Sequence, residues 1–168
     1  MVVDPIHQTL LNLIHIAITP AWALLIFAPR WRWTDRLIHS GLYPVLLGLA
    51  YAAFMICSLV FGTNSEPVNF TTIDGIAAIF SHPFGVLTAW VHYLVFDLFV
   101  GMWEARDARR RGMNHFALIP CLLLTFMAGP VGLLLYFVLR RQWAIETDLV
   151  GQISHKVPVT GEAPPSRR

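Results

Sequence analysis

Long apolar stretches separated by polar connections set the pattern of this chain. Four such stretches cover about residues 10–28, 37–61, 83–104 and 116–139. A helix needs about 20 apolar residues to cross the hydrocarbon core of a bilayer, and each stretch supplies about that many. Because short connections place neighbouring helices antiparallel, the pattern predicts an all-α fold, a four-helix transmembrane bundle over residues 1–141.

Helix breakers and one long connection refine this prediction. Pro20 lies within the first stretch and predicts a kink, because proline removes a backbone donor. Gly129, Pro130 and Gly132 interrupt the fourth stretch, and a membrane tolerates such a break only where the freed carbonyls find partners or face a cavity. Residues 74–80 of the long connection predict a short surface helix, and the polar residues 142–168 predict a flexible tail.

Composition supports a membrane protein and argues against a soluble domain or a nucleic-acid-binding protein. Charged residues make up 13% of the chain, against about 25% in soluble domains. The net charge of +2 is small, so we expect no nucleic-acid partner and interpret the arginines as topology signals. The connections after the first and third stretches hold seven arginines, which by the positive-inside rule predicts both termini on the non-cytoplasmic side.

The sequence shows none of the usual targeting or cofactor-binding motifs, which bears on its location and its chemistry. The opening residues, MVVDPIHQ, have neither a basic signal-peptide start nor the features of a transit peptide, so we expect a bacterial inner (plasma) membrane. There is no Gly-rich phosphate loop and no nucleophile elbow, and no two of the seven histidines are three or four residues apart. We therefore expect no nucleotide cofactor and no metal.

The third apolar stretch carries the ionisable residues that need an explanation. His92 and Asp97 lie inside it, and an aspartate near the centre of a bilayer costs about 2.5–3.5 kcal/mol on insertion scales. The two residues are about 140° apart around a helix, so they are badly placed to pair with each other. Their partners must come from other helices, from a ligand or from water.

Helical spacing assigns the remaining candidates to faces. Trp90, Tyr93, Asp97, Gly101 and Glu104 share one face of the third helix, and His92 and Trp103 lie on a neighbouring one. Gly101 would let another backbone approach the Asp97 carboxylate. On the first helix, Asn12 and His15 face the same way and are candidate partners for Asp97, although an interhelical hydrogen bond without function remains an alternative.

Three tryptophans also indicate a site for an apolar ligand. Trp22, Trp90 and Trp103 lie close to helix ends, and the bundle otherwise offers one intramembrane carboxylate and one imidazole. This combination suits a hydrophobic ligand whose chemistry is proton transfer.

Several segments closely resemble one family of small membrane proteins. They are GIAAIFS at 75–81, AWVHYLVFDLF at 89–99, Asp107, and PVG at 130–132. On these residues the chain is identified as a member of the abscisic-acid-deficient-four family. It consists of small four-span proteins known in plant plastids for a requirement in neoxanthin formation and found also in bacteria. The resemblance covers about residues 5–141.

What the resemblance implies is conversion of an epoxy-xanthophyll into its allenic isomer, or a necessary part in that conversion. Trp90, His92, Asp97 and Asp107 fall on matching positions. Met102 stands where the family pattern has an arginine, so a cationic clamp at this depth is not expected here. No cofactor is implied.

Two functions from different classes follow. In the first, the chain isomerises a carotenoid or retinoid, with Asp97 as base or acid, His92 as its counterpart and Glu104 as a proton relay. In the second, it is a pigment-binding or assembly subunit, alone as a homo-oligomer or in complex with a carotenoid enzyme. The expected substrate-binding residues are Trp90, Tyr93, Trp103, Asn12, His15 and Trp22, and the expected structural residues are Gly101, Asp107, Gly129, Pro130 and Gly132.

Overall fold

A computed structural model describes residues 4–29, 31–61 and 69–143. Within these ranges the helices and the turns between them account for the whole chain and there is no strand, so the predicted all-α class is confirmed. The helices are α1 (Pro5–Phe27), α2 (Arg32–Leu37), α3 (Leu42–Phe61), α4 (Ile73–Ile79), α5 (Pro83–Arg110) and α6 (His115–Leu139). Four of them, α1, α3, α5 and α6, are long and apolar enough to cross a membrane. The predicted tail, residues 142–168, lies almost wholly outside the described residues.

Helix boundaries differ from the sequence pattern in three places. Helix α1 begins earlier than expected, at Pro5, and runs through Pro20 as one helix. The second apolar stretch is divided, because Gly41 adopts a positive φ of 84° between α2 and α3, a conformation that suits glycine. Helix α5 continues to Arg110, so its last turns carry the arginines that the pattern assigned to a connection. The short surface helix predicted over 74–80 is present as α4.

Helix α5 is the centre of the bundle. It packs against α1, α3 and α6, and α1 also contacts α6. Its buried side chains include Val91, Asp97, Leu98 and Glu104. Helix α3, by contrast, buries Leu47 alone along its length and exposes an apolar surface, as expected of a helix that faces lipid on most sides. Asp97 and Glu104 are therefore held between helices rather than presented to lipid, whereas Trp90 and His92 are exposed.

Helix α6 turns back on itself halfway along. Ala128 has non-helical angles (φ −155°, ψ 62°). Residues seven apart in a straight helix are separated by about 10 Å, yet a side-chain carbon on Gly132 would overlap the backbone and hydroxyl of Thr125. The break predicted at Gly129 and Pro130 is thus present, and it is a reversal rather than a mild bend. We call residues 115–127 the first half, 129–139 the second half and 127–130 the hairpin tip.

Contacts with α5 confirm the reversal. Thr125, in the first half, bonds to Glu104, and Tyr136, in the second half, bonds to Asp107. His115, where the first half begins, contacts the backbone oxygen of Ile26 at 2.7 Å. Both ends of α6 therefore lie at the Arg110 end of α5, and the hairpin tip reaches only to the level of Asp97.

Candidate functional site

Asp97 lies where the hairpin tip meets α5. It occupies the middle of the 28-residue helix, about 20 Å from either end at 1.5 Å per residue. The side chain is buried, with 6% of the residue exposed, and its carboxylate rests against Gly129. One carboxylate oxygen, Oδ2, has no hydrogen-bond partner within the described part of the chain. Such an atom calls for a bound partner or a chemical role.

Tyr93 lies one turn before Asp97 on the same face of α5. Its hydroxyl donates to the backbone oxygen of Met127 at 3.2 Å, so a carbonyl at the break in α6 finds its partner on the neighbouring helix. Trp90 stacks on Tyr93 with ring centroids 5.7 Å apart. Its indole nitrogen donates to His15 Nε2 at 3.0 Å. An aromatic chain of His15, Trp90 and Tyr93 therefore links α1 to the hairpin tip beside Asp97.

This aromatic chain is accessible from the side of the bundle. Trp90 is 41% exposed, and Met127 at the hairpin tip is 71% exposed. Because the tip reaches only the middle of α5, the part of α5 before Asp97 is not covered by α6. Trp90 is therefore open to its surroundings at the side of the bundle.

The other polar residue proposed on α1 takes no part in this arrangement. Asn12 is exposed and accepts a hydrogen bond from Gln8 at 3.1 Å. His15 bonds to Trp90 rather than to Asp97. The structure thus joins His15 to the aromatic chain, and it leaves Asn12 on the outer surface of α1.

Trp22 fills the space next to Asp97 along α5. Its ring packs so closely on Gly101 that a side-chain carbon there would lie 2.7 Å from a ring atom. The close approach predicted at Gly101 therefore exists, but a side chain rather than another backbone makes it. The indole is 3% exposed, and within the described residues its nitrogen has no hydrogen-bond partner.

Glu104 is a second fully buried carboxylate on the Asp97 face. The Thr125 hydroxyl lies 3.0 Å and 3.1 Å from its two oxygens. Seven residues separate Glu104 from Asp97, about 10 Å along the helix, with Gly101 and the Trp22 ring between them. The structure does not bring the two carboxylates into contact, so the relay role of Glu104 stays a prediction.

His92 lies on the other side of α5, away from Asp97. It contacts Tyr51 of α3, with ring centroids 5.5 Å apart, and Phe96, at 4.7 Å. It lines a cavity of about 560 Å³ between α3, α4 and α5. The cavity is mostly apolar and includes the polar side chains Ser58 and Thr88. The helical spacing predicted that His92 and Asp97 do not pair. In the structure His92 faces the cavity beside α3 and α4, and Asp97 faces the hairpin tip of α6.

Trp103 and Asp107 lie near the Arg110 end of α5, which we call the basic end of the bundle. The Trp103 ring packs against Tyr136 and Phe137, remote from Trp90. Asp107 Oδ2 accepts from the Tyr136 hydroxyl at 2.8 Å and pairs with Arg111 at 2.8 Å and Arg140 at 3.2 Å. These contacts join α5 to the second half of α6, and the structural role of Asp107 stays a prediction. Tyr136 was not singled out in the sequence, because only the fold-back brings it to Asp107.

The arrangement defines a class of protein: a helical membrane protein with a carboxylate in the middle of one apolar helix, held against the break in another. Among the residues described, no three His, Cys, Asp or Glu side chains come together in a way that could hold a metal.

The chain belongs to the ABA DEFICIENT 4-like family, whose model matches residues 9–136. A relative is Protein ABA DEFICIENT 4, chloroplastic, of Arabidopsis thaliana, which is 28% identical over 129 residues. The match covers 74% of this chain and 57% of that relative, so the chain spans somewhat more than half the length of the relative. No solved structure matches the chain significantly.

Proposed function

We propose that this membrane protein acts in carotenoid or retinoid metabolism and isomerises a polyene or xanthophyll by proton transfer at Asp97. The observation that supports the proposal is the state of the carboxylate: it is buried beside a broken helix, and one oxygen lacks a partner within the described residues. Membership of a family that includes ABA DEFICIENT 4 supports the choice of substrate class.

The other two carboxylates of α5, half-buried Asp107 and buried Glu104, both have hydrogen-bond donors. Asp107 receives three donors on one oxygen, from Tyr136, Arg111 and Arg140. Glu104 receives the Thr125 hydroxyl. A carboxylate kept only for packing would be bonded in one of these ways, since an unpaired polar atom in an apolar layer costs free energy. Asp97 instead keeps an oxygen free to exchange a proton with a ligand.

The chemistry needs no co-reactant. Isomerisation of an epoxide to an allenic alcohol removes a proton from carbon, uses that electron pair for a new double bond, breaks a carbon–oxygen bond and returns a proton to the oxygen. In our proposal Asp97 accepts the proton from carbon and returns it to the oxygen, so the carboxylate is regenerated. Tyr93, whose hydroxyl lies at the hairpin tip, and Trp22, whose indole nitrogen is unpaired among the described residues, are nearby groups that can donate hydrogen bonds to that oxygen.

The roles of the two histidines change with the geometry. His92 does not share the space of Asp97, so we give it no part in the proton transfer. His15 orients Trp90 through the hydrogen bond between them. Trp90 and Tyr93 then offer flat apolar surface for the polyene to pack on.

A second candidate function is pigment binding without catalysis. The observation that favours it is the apolar cavity of about 560 Å³ beside His92, which can hold part of a pigment without involving Asp97. In that case the chain would work as a homo-oligomer or beside a carotenoid enzyme, in a bacterial plasma membrane if the sequence-based expectation holds.

The experiment that separates the two functions replaces Asp97 by asparagine in cells that make xanthophylls. Asp97→Asn keeps the shape of the side chain but cannot accept the proton. We expect conversion to stop while pigment still co-purifies with the protein. Asp35→Asn makes the same chemical change at an exposed aspartate and should leave conversion intact. Pigment isomers are measured by chromatography at matched protein level, and conversion at the wild-type rate by Asp97→Asn would favour the binding function.

A further inference from the structure

Three arginines and one aromatic residue line a small cavity at the basic end of the bundle. They are Arg111, Phe137, Arg140 and Arg141, and the cavity measures about 280 Å³. Arg111 follows α5, whereas Arg140 and Arg141 follow α6. The fold-back of α6 brings these cations together, because a straight spanning helix would carry Arg140 and Arg141 to the opposite membrane surface.

Two of the guanidinium groups are held in place by the protein. Arg111 Nε and Arg140 Nη1 both bond to Asp107 Oδ2, at 2.8 Å and 3.2 Å. The Arg140 guanidinium also lies over the Phe137 ring, 4.5 Å from its centroid. A guanidinium has five N–H donors, and these contacts with Asp107 use one from each arginine. The remaining N–H groups of Arg111 and Arg140 are available to a ligand, and the two side chains are already held in position by Asp107.

The charges around the cavity do not balance. Three arginines line it, and Asp107 is the carboxylate that bonds to them. Asp107 Oδ2 already accepts from Tyr136 as well as from both arginines. About two positive charges are left over, which favours an anion with several acceptor oxygens. Arginine forks match the oxygens of phosphate.

The depth of the cavity points to the source of the anion. It lies where α5 and the second half of α6 end, which is the level of the lipid headgroups if the hairpin tip lies in the apolar layer. Basic pockets between membrane helices at this level bind anionic headgroups. We propose that Arg111, Arg140 and Arg141 form a site for the phosphate group of an anionic phospholipid, with Phe137 packing against the lipid.

The test measures binding of short-chain lipids to the full chain, purified in a neutral detergent, by native mass spectrometry. The probes are dihexanoyl phosphatidylglycerol, dihexanoyl phosphatidylcholine and inorganic phosphate. We expect saturable binding of the phosphatidylglycerol. The zwitterionic lipid, which lacks the net negative charge, and free phosphate, which lacks the apolar contact, should each bind at least about tenfold more weakly. Free phosphate that binds as tightly as the lipid would overturn the assignment to a lipid.

Matched variants distinguish a site from general attraction. Arg141→Gln removes a cavity charge that makes no contact with Asp107 in the described structure, so the network around Asp107 should survive. Arg110→Gln removes the same charge from an exposed residue outside the cavity. We expect Arg141→Gln to weaken phosphatidylglycerol binding about tenfold and Arg110→Gln to leave it nearly unchanged. Equal weakening by both variants would mean diffuse surface attraction and would overturn the proposal.

Discussion

The Asp97 carboxylate occupies the space that a side chain at Gly129 would fill. This contact joins the middle of α5 to the point where α6 reverses direction. Residue 129 must be glycine, because any side chain there would overlap the Asp97 carboxylate. The position of the carboxylate and the course of the helix backbone therefore depend on each other, and the proposed proton-transfer site is as rigid as the hairpin tip.

We expect Gly129→Ala to impair both stability and pigment conversion. The added methyl group would overlap the Asp97 carboxylate, and overpacking of this kind costs about 1–3 kcal/mol. Thermal melting in detergent and pigment chromatography are the measurements. Gly48→Ala is the control, since a side-chain carbon at Gly48 meets no atom within 4 Å and alanine favours a helix. A Gly129→Ala protein that melts and converts like wild type would mean that the contact is not required.

Thr125→Val should destabilise the bundle by about 1–3 kcal/mol, because it leaves the buried Glu104 carboxylate without its donor. Valine keeps the shape of threonine, so packing against Gly132 is preserved. Thr125→Ser keeps the hydroxyl and should be close to wild type. The free energy of unfolding is compared among the three proteins in the same detergent, and equal stability of wild type and Thr125→Val would refute the role of this hydrogen bond.

The side of the membrane on which the carboxyl terminus lies should follow the fold-back of α6. The expectation of two non-cytoplasmic termini assumed that α6 crosses the membrane. In the structure Arg140 and Arg141 lie instead at the Arg110 end of α5, next to the other arginine-rich connection. By the positive-inside rule we therefore predict that this end of the bundle lies in the cytoplasm, and with it a reporter attached to the carboxyl terminus.

Reporter fusions check this orientation directly. A reporter fused after Arg168 should be active only in the cytoplasm, and one fused before Met1 only on the opposite side. The first residues of α5 lie at the end away from the arginines, so a cysteine introduced at Ser81 should be labelled from outside by an impermeant reagent. A carboxyl-terminal reporter active only outside would show that α6 crosses the membrane.

Acid should weaken the protein partly through His39, which lies between α2 and α3. Burial, then the nearby Arg109 and Arg106, hold the pKa of His39 below its ordinary value, against a smaller opposite effect of Asp35. The unfolded chain, with a histidine pKa of about 6.5, binds the proton first as the pH falls. Stability contributed by neutral His39 is therefore complete above that pH and is lost as the pH falls below it.

The measurement is the melting temperature at pH 7.5 and pH 5.5 for wild type and His39→Gln. Glutamine cannot take up the proton, so the variant should lose less stability than wild type between the two conditions. Other titrating groups affect both proteins alike and cancel in the difference. An identical loss in the two proteins would show that His39 is not protonated on unfolding.

The hydrophobic pattern by itself determined the four long helices, the surface helix α4 and the break at Gly129 and Pro130. These follow from local chemistry: a bilayer demands about 20 apolar residues, and glycine and proline interrupt backbone hydrogen bonding. Helical spacing also separated His92 from Asp97 correctly, because the angle between two residues on one helix depends only on their distance along the chain.

The direction of α6 after its break was decided only by the tertiary structure. A break permits many angles, and long-range contacts select one: Thr125 with Glu104 and Tyr136 with Asp107, across 21 and 29 residues of sequence. The same contacts bring Arg140 to Arg111 and leave the part of α5 before Asp97 uncovered by α6. Periodicity describes each helix about its own axis, whereas the relation between helices depends on side chains far apart in the sequence.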